Sequence, residues 1–244
     1  MTVTFAGSGD AFGSGGRLQA CVHVRAPGHP PLLLDCGATS MAALKRQGLD
    51  PGEIGLVLVT HLHGDHFAGL PFLILDGQFS HRSAPLTIGG PPGTARRLDE
   101  AMELMFPGSS RTRQRFGLEV AELAPSATAH LAGASVMAWR ADHPSGAPSL
   151  ALRVEIAGKT IAYTGDTAWM AELPNLAMDA DLFIAEAYFW DKSVPFHLRH
   201  SDLAAHRGEL TSTRTILTHM SADMLDHVGE SAFETAYDGL TVHL

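Results

Sequence analysis

The stretch Thr60-His61-Leu62-His63-Gly64-Asp65-His66 gathers three imidazoles and a carboxylate close together. Nitrogen and oxygen donors of this kind suit a borderline cation such as zinc. His61 and His63 are two apart, and on extended backbone such residues project to one side, so both rings can meet one ion. Gly64 carries no Cβ penalty and lets the chain turn, aiming Asp65 and His66 toward a second position. Four donors placed together after a buried run read as metal ligands rather than as surface histidines in a polar loop. A catalytic zinc site takes at least three protein ligands, so further donors are expected elsewhere.

The element that must position this cluster is the apolar run Leu56–Val59, which reads as a buried strand. Strands present side chains at their ends, and three more polar residues follow apolar runs. Asp142-His143 follows Ser135–Trp139, Gly165-Asp166 follows Ile161-Ala162-Tyr163, and His219 follows Ile216-Leu217-Thr218. Further strands are predicted at Thr2–Ala6, Ala20–Arg25, Pro31–Asp35, Pro85–Gly90, Gly117–Leu123, Ala129–Arg140, Leu150–Ile156, Thr160–Tyr163, Leu182–Ala185 and Thr215–Thr218. Helices are predicted from a Ser40 cap through Leu44 to Gly48, over Phe67–Phe79 with Pro71 in the first turn, over Thr94–Met105, and over Asp202–Leu210. Strands come in runs first and are later interleaved with helices. That order predicts an α/β chain of the α+β type, two sheets packed together with helices outside, in one domain over residues 1–244.

Composition narrows the function. The chain of 244 residues is 45% hydrophobic, enough for a sizeable core, and has no apolar run of transmembrane length. The N-terminus shows no secretory signal, and Cys21 and Cys36 are too few for a disulfide scaffold, so reduced thiols and a cytoplasmic location are expected. Seventeen basic against 26 acidic residues give a net charge of −9, which speaks against a broad nucleic-acid footprint. Arg111, Arg113 and Arg115 form the one basic cluster, either a solvated face or an anchor for an anionic substrate. The glycine-rich loop Gly7–Gly16 has no Gly-Lys-Ser/Thr ending and opens no helix, which excludes a P-loop and makes it a wall of the site instead.

Thr-His-Leu-His-Gly-Asp-His, then His143, then Thr-Gly-Asp-Thr around Asp166, then Leu-Thr-His219 is similar to the ligand series of the metallo-β-lactamase superfamily. The resemblance implies the metallo-β-lactamase fold, an αββα four-layer sandwich, with two divalent metal ions. Zinc is the expected pair, with manganese or iron as alternatives. It further implies that His61, His63 and His143 hold the first ion, that Asp65, His66 and His219 hold the second, and that Asp166 bridges them. Asp142 and Asp35 are candidates for orienting ligand imidazoles, with turn or capping carboxylates as the alternative. Phe5-Ala6-Gly7-Ser8-Gly9-Asp10-Ala11-Phe12, Leu86–Gly93 and Ala185-Glu186-Ala187 resemble the ribonuclease Z branch and its small relatives. Two features depart from it. The interval between His143 and Asp166 is too short for the arm that grips tRNA, and the loop Gly13–Gln19 lacks that branch's basic, asparagine-bearing pattern.

The expected chemistry is hydrolysis by a hydroxide shared between the two ions, with the ions offsetting the developing oxyanion. The candidate catalytic groups are Asp65, His197, Glu186 and His200. His197 is favoured as general acid with Glu186 orienting it, and His200 is the reserve. The other histidines, and Trp139, Trp169 and Trp190, are read as structural. The expected substrate is a small-molecule phosphodiester rather than folded tRNA. A carbonyl substrate such as a lactone, thioester or β-lactam, and tRNA 3′-processing, are the alternatives. No membrane partner is expected, and a homodimer is compatible with the resemblance.

Overall fold

A computed structural model describes residues 1–244. The first sheet contains β1 (Thr2–Gly7), β2 (Cys21–Arg25), β3 (Leu32–Leu34), β4 (Leu56–Leu58), β5 (Leu86–Gly90) and β6 (Leu118–Glu122). The second contains β7 (Thr128–Leu131), β8 (Ala134–Ala141), β9 (Ser149–Ile156), β10 (Lys159–Tyr163), β11 (Leu182–Glu186), β12 (Thr215–Thr218) and β13 (Glu234–Thr235). The final strand, β14 (Thr241–His243), crosses back to pair with β1, giving two sheets of seven strands. Around them lie α1 (Ser40–Arg46), α2 (Gly64–Phe67), α3 (Leu70–Phe79), α4 (Thr94–Met105), α5 (Leu173–Ala177), α6 (His200–Ala205) and α7 (Ala222–Leu225).

The continuous apolar runs have a simple cause: central strands are buried on both faces. In β3, Leu32 and Leu34 point between the sheets, while Leu33 points to the helix side. In β4, Leu56 and Leu58 face inward and Val57 faces out. The inter-sheet core joins Val3, Phe5 and Val22 of the first sheet to Leu152, Val154, Ile161 and Ile184 of the second. Leu44, Leu73, Ile74 and Leu98 from α1, α3 and α4 cover the first sheet. Leu173, Leu176, Leu203 and Met224 from α5, α6 and α7 cover the second. Four layers, helix–sheet–sheet–helix, result, which is the αββα sandwich. No helix is long and apolar enough to cross a membrane. Cys21 and Cys36 are free and buried.

Strand direction sets where chemistry can occur. β3, β4, β5 and β6 run parallel, and so do β10, β11, β12 and β13. β1 is two antiparallel steps from β3, and β8 is two from β10, so each shares its neighbour's direction. The C-terminal ends of these strands carry the cluster residues. Backbone bonds join the two sheets at that edge: Leu150 N–H donates to Thr60 O at 2.9 Å and His219 N–H to Ser8 O at 3.1 Å.

Several elements differ from the sequence expectation. The Phe67–Phe79 segment is two helices, α2 and α3, because Pro71 fits only in the first turn of a helix that starts at Leu70. Gly64 opens α2 with no positive φ, so helix formation, not glycine's freedom, makes that turn. The Ala129–Arg140 strand is a hairpin, β7–β8, turned at Ala132 and Gly133, both with positive φ. Ser40 is the first residue inside α1 rather than its cap, and Thr39 takes that place. Asp202–Leu210 holds the end of α6 and a single 3₁₀ turn, Arg207–Glu209.

His23, on β2, is buried on the helix side of the first sheet. Burial, with Arg25 adding to it, pushes its pKa down to about 4 from the ordinary 6.5. The folded protein therefore keeps His23 neutral where the unfolded chain binds a proton. Its contribution is full above pH 6.5 and is lost as pH falls toward 4, a span of about 3 kcal/mol. Urea unfolding of the wild type and His23→Leu across this range should show a flatter pH dependence in the variant; equal slopes would refute the assignment.

Candidate metal centre

Each cluster residue sits just past a strand or at a short helix. His61 and His63 lie in the loop after β4, Asp65 and His66 in α2, His143 after β8, Asp166 after β10 and His219 after β12. Two of the turns need a special backbone. Gly165 has φ +56°, and a Cβ added there would lie 2.8 Å from Thr60 Cβ, so only glycine lets Asp166 swing inward. His219 has φ +57° and Asp35 φ +61°, conformations that cost a non-glycine residue roughly 1–3 kcal/mol each. Surrounding bonds hold both: Asp35 N–H donates to Leu58 O at 2.8 Å, and His219 N–H to Ser8 O.

The structure brings all seven candidate ligands together. His63 Nδ1 lies 3.2 Å from His61 Nε2 and 3.1 Å from His143 Nε2. Beside this triad, His66 Nε2 and His219 Nε2 are 3.2 Å apart, and Asp65 Oδ2 is 3.2 Å from the first and 3.1 Å from the second. Asp166 spans the two groups. Its Oδ2 is 3.9 Å from both His61 Nε2 and His143 Nε2, and its Oδ1 is 3.3 Å from His66 Nε2 and 3.6 Å from His219 Nε2. The atoms of each group are close enough to hold one cation.

Partners behind the rings fix which nitrogen faces the cluster. His61 Nδ1 donates to Thr60 Oγ1 at 3.1 Å, His143 Nδ1 to Phe196 O at 3.0 Å, and His66 Nδ1 to Asp35 Oδ2 at 2.7 Å. Each bond leaves the Nε2 lone pair aimed inward, as a ligand requires. Asp35 is in turn bonded by Thr60 N–H at 2.7 Å, Thr60 Oγ1 at 3.0 Å and Tyr163 OH at 2.8 Å, the last reaching across the inter-sheet core. Asp142 does not orient His143: it is exposed, and the Phe196 carbonyl takes that role.

The donor set fits divalent cations on two further counts. Asp166 Oδ1 is buried with no hydrogen-bond partner, which is rare for a carboxylate oxygen. Charge is also unbalanced. Burial disfavours protonation of His66, yet Asp166, Asp35 and Asp65 overcome it and hold its pKa well above the ordinary value. His219 is likewise raised to about 10, with Asp166 and Asp65 outweighing burial. The ionised carboxylates thus hold protons on these two imidazoles as balancing positive charge.

Next to the clusters, His197 Nδ1 lies 2.5 Å from Glu186 Oε1, and its ring stacks on Tyr188 at 4.7 Å. Glu186 Oε2 accepts from Thr167 N–H at 3.0 Å and Leu198 N–H at 3.2 Å. Burial alone would lower the His197 pKa, but the Glu186 carboxylate prevails and raises it. His200 is elsewhere: its ring stacks on Trp190 at 4.0 Å and meets Phe233, and it adds no atom to either donor group. A cleft of about 200 Å³ opens over the donors, with Ala11, Phe12 and Tyr188 in its wall. The Arg cluster is a solvated face. Arg111, Arg113 and Arg115 are exposed, and Arg115 Nη1 lies 2.7 Å from His81 Nδ1. The sequence reading missed Thr60, Tyr163 and the Phe196 carbonyl. Tyr163 could have been noticed as a polar tip ending a buried strand.

Comparison with known proteins agrees with the fold. A family model described as anti-Pycsar protein Apyc1 matches residues 1–237. Ribonuclease Z of Haloferax volcanii is 28% identical over 276 residues, covering 91% of this chain and 85% of its own. Zinc phosphodiesterase ELAC protein 1 of Homo sapiens is 37% identical over 131 residues, covering 52% and 34%. Human tRNase Z, short form, superposes with TM-score 0.81 at 28% identity, covering 100% of this chain and 99% of that one. A diphosphatase from the PhnP family superposes with TM-score 0.80 at 20% identity, covering 100% and 97%.

Zinc added to chelator-treated protein should raise the unfolding temperature, with about 4 kcal/mol gained at a thousand-fold excess over Kd. Asp166→Ala should retain about one ion fewer than wild type by elemental analysis; an unchanged ion count would remove Asp166 from the ligand set.

Proposed function

The chain belongs to the family of the anti-Pycsar protein Apyc1, and from that premise we propose that it hydrolyses a small phosphodiester using two divalent cations, zinc being the expected pair. It is a metal-dependent hydrolase of the metallo-β-lactamase fold, resembling the ribonuclease Z branch. The observation that carries the finer reading is the pair of donor groups with Asp166 between them, and the His197–Glu186 pair beside them. In this reading His61, His63 and His143 hold one cation, Asp65, His66 and His219 the other, and Asp166 both. Bound there, the cations supply an acidified water and positive charge for the developing oxyanion.

The chain's own groups do the rest. Glu186 accepts from His197 Nδ1, which leaves Nε2 to carry the proton given to the leaving oxygen. The Glu186 carboxylate raises the His197 pKa and so favours the protonated ring, and the Tyr188 stack fixes the ring plane. Asp35 keeps His66 in its ligating tautomer. Phosphorus rather than carbonyl chemistry is supported by the names zinc phosphodiesterase and diphosphatase among the relatives.

Folded tRNA is the second reading, favoured by relatives named ribonuclease Z. Against it stand the net charge of −9 and the hairpin β9–β10, turned at Ala157-Gly158, which fills the interval from His143 to Asp166. A band shift with precursor tRNA at low salt would support it.

Bis-p-nitrophenyl phosphate should turn over while a lactone and a chromogenic cephalosporin do not; the reverse order would exchange the two chemistries. His197→Ala should lower kcat about 100-fold or more on a phosphodiester with an alkyl leaving group, and much less with p-nitrophenol, which leaves without protonation. An equal loss on both substrates would exclude a proton-donor role.

A further inference from the structure

Of the candidate ligand rings that face the cluster through Nε2, His219 is held differently. His61, His66 and His143 each have a hydrogen-bond partner behind the ring. His219 has none: its Nδ1 is buried without a hydrogen bond, and Glu186 Oε1 is 3.6 Å away. Apart from Asp65 Oδ2 at its Nε2, its placement therefore leans on its backbone, which sits in the left-handed region at φ +57°. That backbone is fixed by Ser8, whose carbonyl accepts from His219 N–H at 3.1 Å and from Thr218 Oγ1 at 3.3 Å.

Ser8 is itself fixed from the far end of the chain. Asp238 Oδ1 accepts from Ser8 N–H at 3.0 Å and Ser8 Oγ at 2.9 Å, and Oδ2 accepts from Leu18 N–H at 2.8 Å. One carboxylate thus joins both limbs of the loop between Ser8 and Leu18. Arg17 adds a bond from the same loop to the same C-terminal segment, Nη1 to Ala236 O at 2.6 Å. The limbs lie too close for a side chain at Gly7, where a Cβ would come within 2.0 Å of Gln19 O. Between them the loop carries Phe12, 84% exposed at the cleft wall.

We propose that Asp238 is a positioning residue whose carboxylate latches this loop, so that Ser8 holds His219 toward the second cation while Phe12 is presented at the cleft. The inference rests on the two-cation reading above. Two bonds from Ser8 and one from Leu18 to one carboxylate hold the loop, and the Ser8 carbonyl then takes the His219 N–H from outside that residue's own strand. The side chains of His61, His63 and His143, which would hold the first cation, make no hydrogen bond to Asp238, Ser8 or Leu18.

The test is equilibrium dialysis of chelator-treated wild type, Asp238→Asn and Asp238→Ala against zinc, with unfolding temperature measured in parallel. Wild type should bind two ions. Asp238→Ala should keep the first affinity and weaken the second tenfold or more, and Asp238→Asn, which retains one acceptor oxygen, should fall between. Wild-type affinity for both ions in Asp238→Ala, even with a lowered unfolding temperature, would overturn the latch, as would equal weakening of both. If Asp238→Ala does not fold, two wild-type affinities in Asp238→Asn overturn it just as well. The ion count of the wild type tests the two-cation reading; the difference between wild type and variant tests the latch.

Discussion

Groups that repel one another are held together here. Six of the seven candidate ligands form two knots of facing nitrogens and oxygens with spacings of 3.1–3.2 Å, and the seventh, Asp166, lies between the knots. Lone pairs and negative charges at such distances raise each other's energy unless positive charge lies among them. The raised pKa values of His66 and His219 are the same demand met by protons. A fold that keeps this arrangement must be stiff, because every ligand would lower its energy by moving outward.

The stiffness comes from where the ligands are mounted. Central strands buried on both faces cannot shift without opening one of three apolar cores. The donors stand at the C-terminal ends of such strands, from both sheets, so the inter-sheet core fixes the distance between the two knots. Tyr163 shows the link most directly. Its ring packs between the sheets, and its hydroxyl bonds Asp35, which bonds His66. Packing and metal geometry are thus one structure, and the left-handed turns at Asp35 and His219 are strain that this packing sustains.

Much of this was legible in the sequence, and the reason differs by part. His61, His63, Asp65 and His66 fall in one short stretch, so their spacing alone carries the signal. His143, Asp166 and His219 are scattered, but each follows an apolar run, and a strand end is the one place a sheet can present a ligand. The two packed sheets follow from the order of strand runs and interleaved helices, and the four layers from the resemblance of the ligand series. Element boundaries failed where one proline or one turn decided them, as at Pro71 in a helix and at Ala132-Gly133 in a hairpin. Strand β14 is only three residues long, and its pairing with β1 spans the whole chain, so no local pattern announces it. The supporting shell was least legible. Thr60 is an ordinary residue beside a histidine, the Phe196 carbonyl has no side-chain signature, and Asp142, adjacent to a ligand, pointed the wrong way.

Thr60 carries a consequence for how this scaffold can change over time. Its hydroxyl serves Asp35 and His61 together, its amide serves Asp35, its carbonyl ties the two sheets, and its methyl side fills the space Gly165 leaves open. Two of these demands fall on the side chain, which must offer a hydroxyl and a compact methyl at once, and few residues meet both. Phe12, 84% exposed at the cleft wall, carries far fewer. Substitution at the rim can therefore reshape the cleft at little structural cost, while the threonine buried behind the histidines leaves the scaffold no such latitude.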